Sequence, residues 1–85
     1  MNGYRSATIT PEKAAELMRD AGIKMDSQTL RAGIEQGRLP FGVYIEMNRR
    51  FFLVSKKKLS EWLEDFAGVK IVFDDESDVG EVVRA

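Results

Sequence analysis

The chain has no cysteine and no histidine. The first absence excludes a disulfide framework and thiolate metal sites. The second removes the commonest general base and the commonest zinc ligand. Only two prolines and one tryptophan occur. No apolar run reaches the roughly 20 residues needed to span a bilayer, and no charged-then-apolar leader resembles a signal peptide. These features lead to the expectation of a cytoplasmic protein with no cofactor, no metal and no membrane partner. Catalysis is expected to be absent as well. Asp74, Glu76 and Asp78 superficially resemble a calcium loop, but Val79 stands where the loop glycine belongs and Ala85 where the bidentate glutamate belongs. Ser55 followed by lysines is a capping arrangement rather than a nucleophile with its base. The few glycines form no phosphate-cradling motif.

What is present is 85 residues, enough for one small domain with a modest core. The net charge of −1 conceals a division. Residues 1–60 hold 11 Lys/Arg against 6 Asp/Glu, a net of +5, and residues 61–85 hold 2 against 8, a net of −6. The basic body suits a polyanionic partner.

The chain is organised around the stretch 26–36. Asp26 is a good N-cap, Gly37 can take the left-handed conformation that ends a helix, and Pro40 prevents its resumption. Leu30 and Ile34, four apart, share the inward face. Ser27, Gln28, Arg31 and Glu35 fall on other sides. Arg31 can present a fork to guanine O6 and N7, and Gln28 can do the same for adenine N6 and N7. The plainer reading is a solvated helix face, with Arg31 paired to Glu35 one turn on.

The flanking chain has its own punctuation. Residues 1–8 read as a flexible leader. Thr10-Pro11-Glu12 starts a helix, with Thr10 as cap, Pro11 in the first helical position and Glu12 near the positive end. Ala14, Leu17, Met18 and Ala21 recur at helical spacing, and Gly22 ends the helix. Ile23 and Met25 are expected to anchor the connection in the core. After the central helix, residues 41–45 and 50–54 alternate as strands around a turn at 46–49, where Asn48 tolerates positive φ. Tyr44 and Phe52 are assigned to packing within this hairpin. Ser55 caps a third helix over 56–66 or 67, in which Leu59, Trp62, Leu63 and Phe66 fit one inward stripe with Trp62 as its keystone. Lys56, Lys57 and Lys58 stand at the end of this helix that disfavours cations, which a polyanion would offset. From Gly68 the character changes. Val69, Ile71, Val72 and Phe73 could form an added strand, and 68–85 is otherwise expected to be an acidic, mobile tail.

The order is helix, turn, helix, two-stranded hairpin, helix. Thr10-Pro11-Glu12-Lys13-Ala14-Ala15-Glu16-Leu17 resembles the opening helix of MerR-like and excisionase-like winged helix-turn-helix domains. Ser27-Gln28-Thr29-Leu30-Arg31, with Glu35-Gln36-Gly37-Arg38-Leu39-Pro40, resembles their second helix and its exit. Arg50-Phe51-Phe52-Leu53-Val54, then 56–59 and Glu61-Trp62-Leu63, resembles their return strand and closing helix. The resemblance covers about residues 8–66. It departs in the connection from Arg19 to Met25, which is longer than usual, and in a hairpin tip where Glu46 and Met47 dilute the positive charge.

The resemblance implies an α+β winged helix-turn-helix domain over 9–67 that binds double-stranded DNA. Its second helix would lie in the major groove through Ser27, Gln28, Thr29, Arg31 and Ala32, with 41–54 as wing. Arg49 and Arg50 become wing contacts, and Arg38, Lys56, Lys57 and Lys58 suit phosphate, which gives affinity and register but not sequence. It further implies an excisionase-like recombination directionality factor or a small transcription regulator of phage or mobile-element type. Partners would be DNA, further copies on DNA, or a recombinase or other protein. Two alternatives stand beside this. One is a protein-interaction module whose basic face is masked by the acidic tail, and the other a DNA-recognition domain like that of a terminase small subunit.

Overall fold

A computed structural model describes residues 7–73 and 80–84. The elements run β1 (Thr8–Ile9), α1 (Pro11–Asp20), α2 (Ser27–Glu35), β2 (Gly42–Glu46), β3 (Arg50–Ser55), α3 (Lys56–Ala67), β4 (Val69–Phe73) and β5 (Gly80–Arg84). The result is a small α+β fold with three helices and two antiparallel sheets, ordered β1-β3-β2 and β4-β5.

Each helix starts on the residue the sequence nominates. The Thr10 hydroxyl accepts from the Lys13 N–H at 3.2 Å, the Asp26 carboxylate from the Thr29 N–H at 2.7 Å, and the Ser55 hydroxyl from the Lys58 N–H at 3.2 Å. Each bond satisfies one donor that the first helical turn cannot pair internally. The two largest influences that hold the Asp26 carboxyl below the ordinary range come from Thr29, its backbone N–H first and its hydroxyl second. After α2, Gly37 takes φ 72°, the left-handed conformation expected of it.

The core draws on every element. Ala14, Ala15 and Met18 of α1 meet Leu30 and Ile34 of α2, Val54 of β3, and Leu59 and Leu63 of α3. Phe41, just before β2, is 1 % exposed and is the largest fully buried side chain. Trp62 is only partly buried, its ring set edge-on to Phe41 at 5.2 Å, so Phe41 takes the keystone place expected of Trp62. Phe66, expected inside, is 66 % exposed and stacks on Trp62.

Gly42 sets the spacing between α2 and the first hairpin. A Cβ on it would lie 2.5 Å from Ile34 Cγ1, so β2 comes as close to the helix as it does only because no side chain intervenes. Tyr44 and Phe52 pack ring to ring at 5.2 Å on the inner face, as expected. The tip differs from expectation. Met47 donates to the Arg49 carbonyl at 3.1 Å, and Asn48 has no positive φ.

Three further corrections concern the ends of the domain. Thr8 belongs to strand β1, paired with Ser55, rather than to a leader. Val69–Phe73 is the added strand the sequence suggested, but Gly80–Arg84, assigned to a mobile tail, pairs with it in a hairpin, Val69 to Arg84 through Phe73 to Gly80. Val69, Ile71 and Phe73 are buried in the common core. β4 packs along α3 and β5 against α1, so the domain extends beyond residue 67. The acidic run at 74–78 and most of the expected leader lie outside the described residues.

Candidate nucleic-acid interface

Three cations predicted from two separate stretches meet at one place. Arg31 of α2 and Arg49 and Arg50 of the hairpin line a single open groove of about 590 Å³, together with Thr10, Pro11, Phe51 and Phe52. The hairpin brings this about. Its strands place Phe52 on the inner face, and the Arg31 guanidinium lies 5.9 Å from the Phe52 ring centroid. Arg49 lies 5.0 Å from the ring of Phe51, on the opposite face of β3. Both are cation–π distances.

Carboxylates accompany the arginines. Arg31 forms an ion pair with Glu12 at the start of α1, not with Glu35 on its own helix. The Glu12 carboxyl is held below its ordinary range, first by its own backbone N–H and then by the Arg31 side chain. Glu35 faces Arg50 instead, at 3.8 Å. Glu46 stands directly across the hairpin from Arg50. The Tyr44 hydroxyl is pushed up by desolvation, and next by the Glu46 and Glu35 carboxylates. These exposed pairs are cheap to exchange, since such pairs contribute about 0.2–1 kcal/mol.

Among the other predicted groove-helix residues, Gln28, Thr29 and Ala32 are exposed and Ser27 is half-buried. Thr29 also serves the Asp26 cap, which gives it a structural role of its own. It lines a second open groove of about 520 Å³ with Arg19, Gly22, Ile23, Lys24, Met25 and Asp26. The Arg19 side chain donates to the Met25 carbonyl at 2.8 Å and so ties down the long connection between α1 and α2.

The predicted backbone contacts divide. Arg38, Lys57 and Lys58 are exposed but do not line the arginine groove. Lys56 is removed from the set. It is 0 % exposed, with its ammonium 5.4 Å from the Phe73 ring centroid. The second hairpin covers the start of α3, and a lysine at this position can only run inward. Glu12, the ion-pair partner of Arg31 at this groove, is the neighbour that sequence reasoning missed. Its signal was weak, because an acid in the first turn of a helix is explained by the helix dipole alone.

Comparison with family models, characterised proteins and solved structures finds no match to this chain. Among the described residues no cluster of acids could hold a metal ion, and no helix is long and apolar enough to cross a membrane.

Proposed function

We propose that this chain is a non-catalytic, double-stranded DNA-binding protein of the winged helix-turn-helix type. In this reading α2 enters the major groove and the β2–β3 hairpin is the wing. The observation that carries it is the convergence of Arg31, Arg49 and Arg50 on one open groove beside an α2 face that displays Gln28 and Ala32. Arg31 and Gln28 have the side-chain forms that read guanine and adenine edges. In this reading Arg49 and Arg50 follow the phosphate backbone. Phosphates would displace Glu12 and Glu35 from their arginines, which the weakness of exposed ion pairs permits. An excisionase-like or small regulatory role, in a phage or mobile element, follows from the sequence resemblance and is part of the same proposal.

The test is fluorescence anisotropy with a labelled mixed-sequence duplex. Affinity should fall steeply as salt rises, and Arg50→Ala should lower the slope of log K against log salt by about 1. Salt-independent or absent binding would overturn the proposal.

A second reading has an observation of its own. Glu12, Glu35 and Glu46 share the groove's surroundings with the arginines, as a mixed-charge protein interface would. The substitution Glu35→Gln separates the two readings. It should strengthen DNA binding if Glu35 competes with phosphate, and it would weaken a protein contact that uses both charges.

A further inference from the structure

The first hairpin is apolar on both faces. Tyr44, Phe52 and Val54 face the core, while Val43, Ile45, Phe51 and Leu53 stand on the opposite side, 38–53 % exposed. Single exposed apolar residues need no explanation, but four on one face of one hairpin form a contiguous patch.

The strand bearing part of this patch also has an open edge. Among the described residues β2 is the last strand of its sheet. The Ser55 N–H donates to the Phe41 carbonyl at 2.8 Å and the Met47 N–H to the Arg49 carbonyl at 3.1 Å. By the alternation of an antiparallel ladder, Val43 and Ile45 bond to β3 in the same sense. The N–H and C=O groups of the intervening Tyr44 and Glu46 therefore point away from β3, off the edge. Natural edge strands are blunted by charged side chains, lysine above all, by proline or by a bulge. Residues 42–46, Gly-Val-Tyr-Ile-Glu, contain no lysine, proline or bulge, and their one charge, Glu46, stands at the strand's end.

We propose that this edge pairs with the same edge of a second copy, antiparallel and centred on Tyr44, joining two three-stranded sheets into one of six strands. The strand is complementary to itself in this register. Tyr44 meets Tyr44 of the second copy through the outward-pointing amides, and Val43 lies opposite Ile45 on the apolar face. Glu46 lies opposite Gly42, so no carboxylates oppose each other. A register centred on Glu46 would set two acids face to face, which is unfavourable. The one-residue offsets that would turn the apolar face over are likewise excluded by the pattern.

Area sets the strength. Pairing along one five-residue edge covers the flank of β2 and not the sheet face, so it buries much less than the about 800 Å² per partner of a standard stable interface. The dimer is accordingly weak in dilute solution and populated at high concentration. This inference rests on the sheet edge and not on the DNA reading, so either can fail alone.

The test is sedimentation equilibrium of the full chain from about 10 μM to about 1 mM, with amide NMR spectra over the same dilution series. The mass should rise towards twice the monomer's, and the Tyr44 and Glu46 amides should shift on dilution. Ile45→Lys, an exposed position, should hold the mass at the monomer value with the fold unchanged by circular dichroism. Phe66→Ser, which alters the other large exposed aromatic, should leave the association intact. A monomer at every concentration overturns the proposal. So does a dimer that survives Ile45→Lys, or dilution shifts that avoid residues 42–46.

Discussion

The two hairpins of this protein are built alike and used differently. Each pairs five residues with five in an antiparallel ladder. The β4–β5 hairpin turns Val69, Ile71 and Phe73 inward and leaves Lys70, Val72 and Glu81 outside, so its apolar content is largely consumed by the core. The β2–β3 hairpin buries Val54 and half-buries Tyr44 and Phe52, yet keeps four apolar strand residues exposed on its other face and carries Arg49 and Arg50 at its tip. One hairpin closes the domain and the other displays surface. Charge follows the same division. Lys56 is enclosed near Phe73 of the closing hairpin, whereas Arg31, Arg49 and Arg50 stand at an open groove beside the displaying one.

The largest test of this comparison is a pair of truncations. Phe73→Ala should destabilise the fold by about 3–5 kcal/mol, because it removes a buried aromatic side chain from the core. Phe51→Ala, on the exposed face, should cost well under half of that. Urea denaturation of both variants measures the difference. Equal effects would mean that the second hairpin is not integral to the domain. Next in size is Gly42→Ala, whose new Cβ would collide with Ile34. A loss of about 1–3 kcal/mol is expected, with amide shifts concentrated in α2, since this contact spaces the helix from the displaying hairpin.

How much of this was legible in the sequence follows from the range of the interactions. Caps and helix ends are local, and Thr10, Asp26, Ser55 and Gly37 announced them within a few residues. The first hairpin was legible because its two strands are adjacent in sequence and alternate. Of the second, the strand at 69–73 was legible but its partner was not, because Val82 and Val83 are a thin signal beyond an acidic run and their strand is secured by packing against α1, some 60 residues earlier. Lys56 was misplaced for the same reason, since a lysine at a helix start reads as solvated until a distant strand covers it. In the candidate site, the arginines were found by type and the resemblance, but their convergence with Thr10 and Pro11 is tertiary. The Glu12 pairing joins residues 19 apart in sequence, which no local spacing rule detects.

Smaller effects sharpen the contrast further. Thr10→Ala removes the α1 cap and should cost about 1 kcal/mol in thermal or chemical unfolding. The smallest expected effect is one of pH. The folded-state shifts of Glu12 and Asp26 are both downward. Stability from these carboxylates is therefore fully present above their ordinary unfolded range and is lost as pH falls through the lower folded values. Midpoints of unfolding should be flat near neutrality and begin to drop below about pH 4. In Glu12→Gln part of that drop should disappear. An unchanged acid limb in that variant would mean that the Arg31 pair contributes nothing to it.

The most direct test of the central claim is a titration of the isotope-labelled protein with mixed-sequence duplex DNA, followed by amide and arginine side-chain NMR at low and then higher salt. The DNA reading predicts shifts at Gln28, Arg31, Ala32, Arg49 and Arg50 that weaken with salt, and little change at buried Lys56 or at Val72 on the closing hairpin. No shifts at low salt, or shifts gathered on the β4–β5 side and absent from the arginine groove, would contradict it.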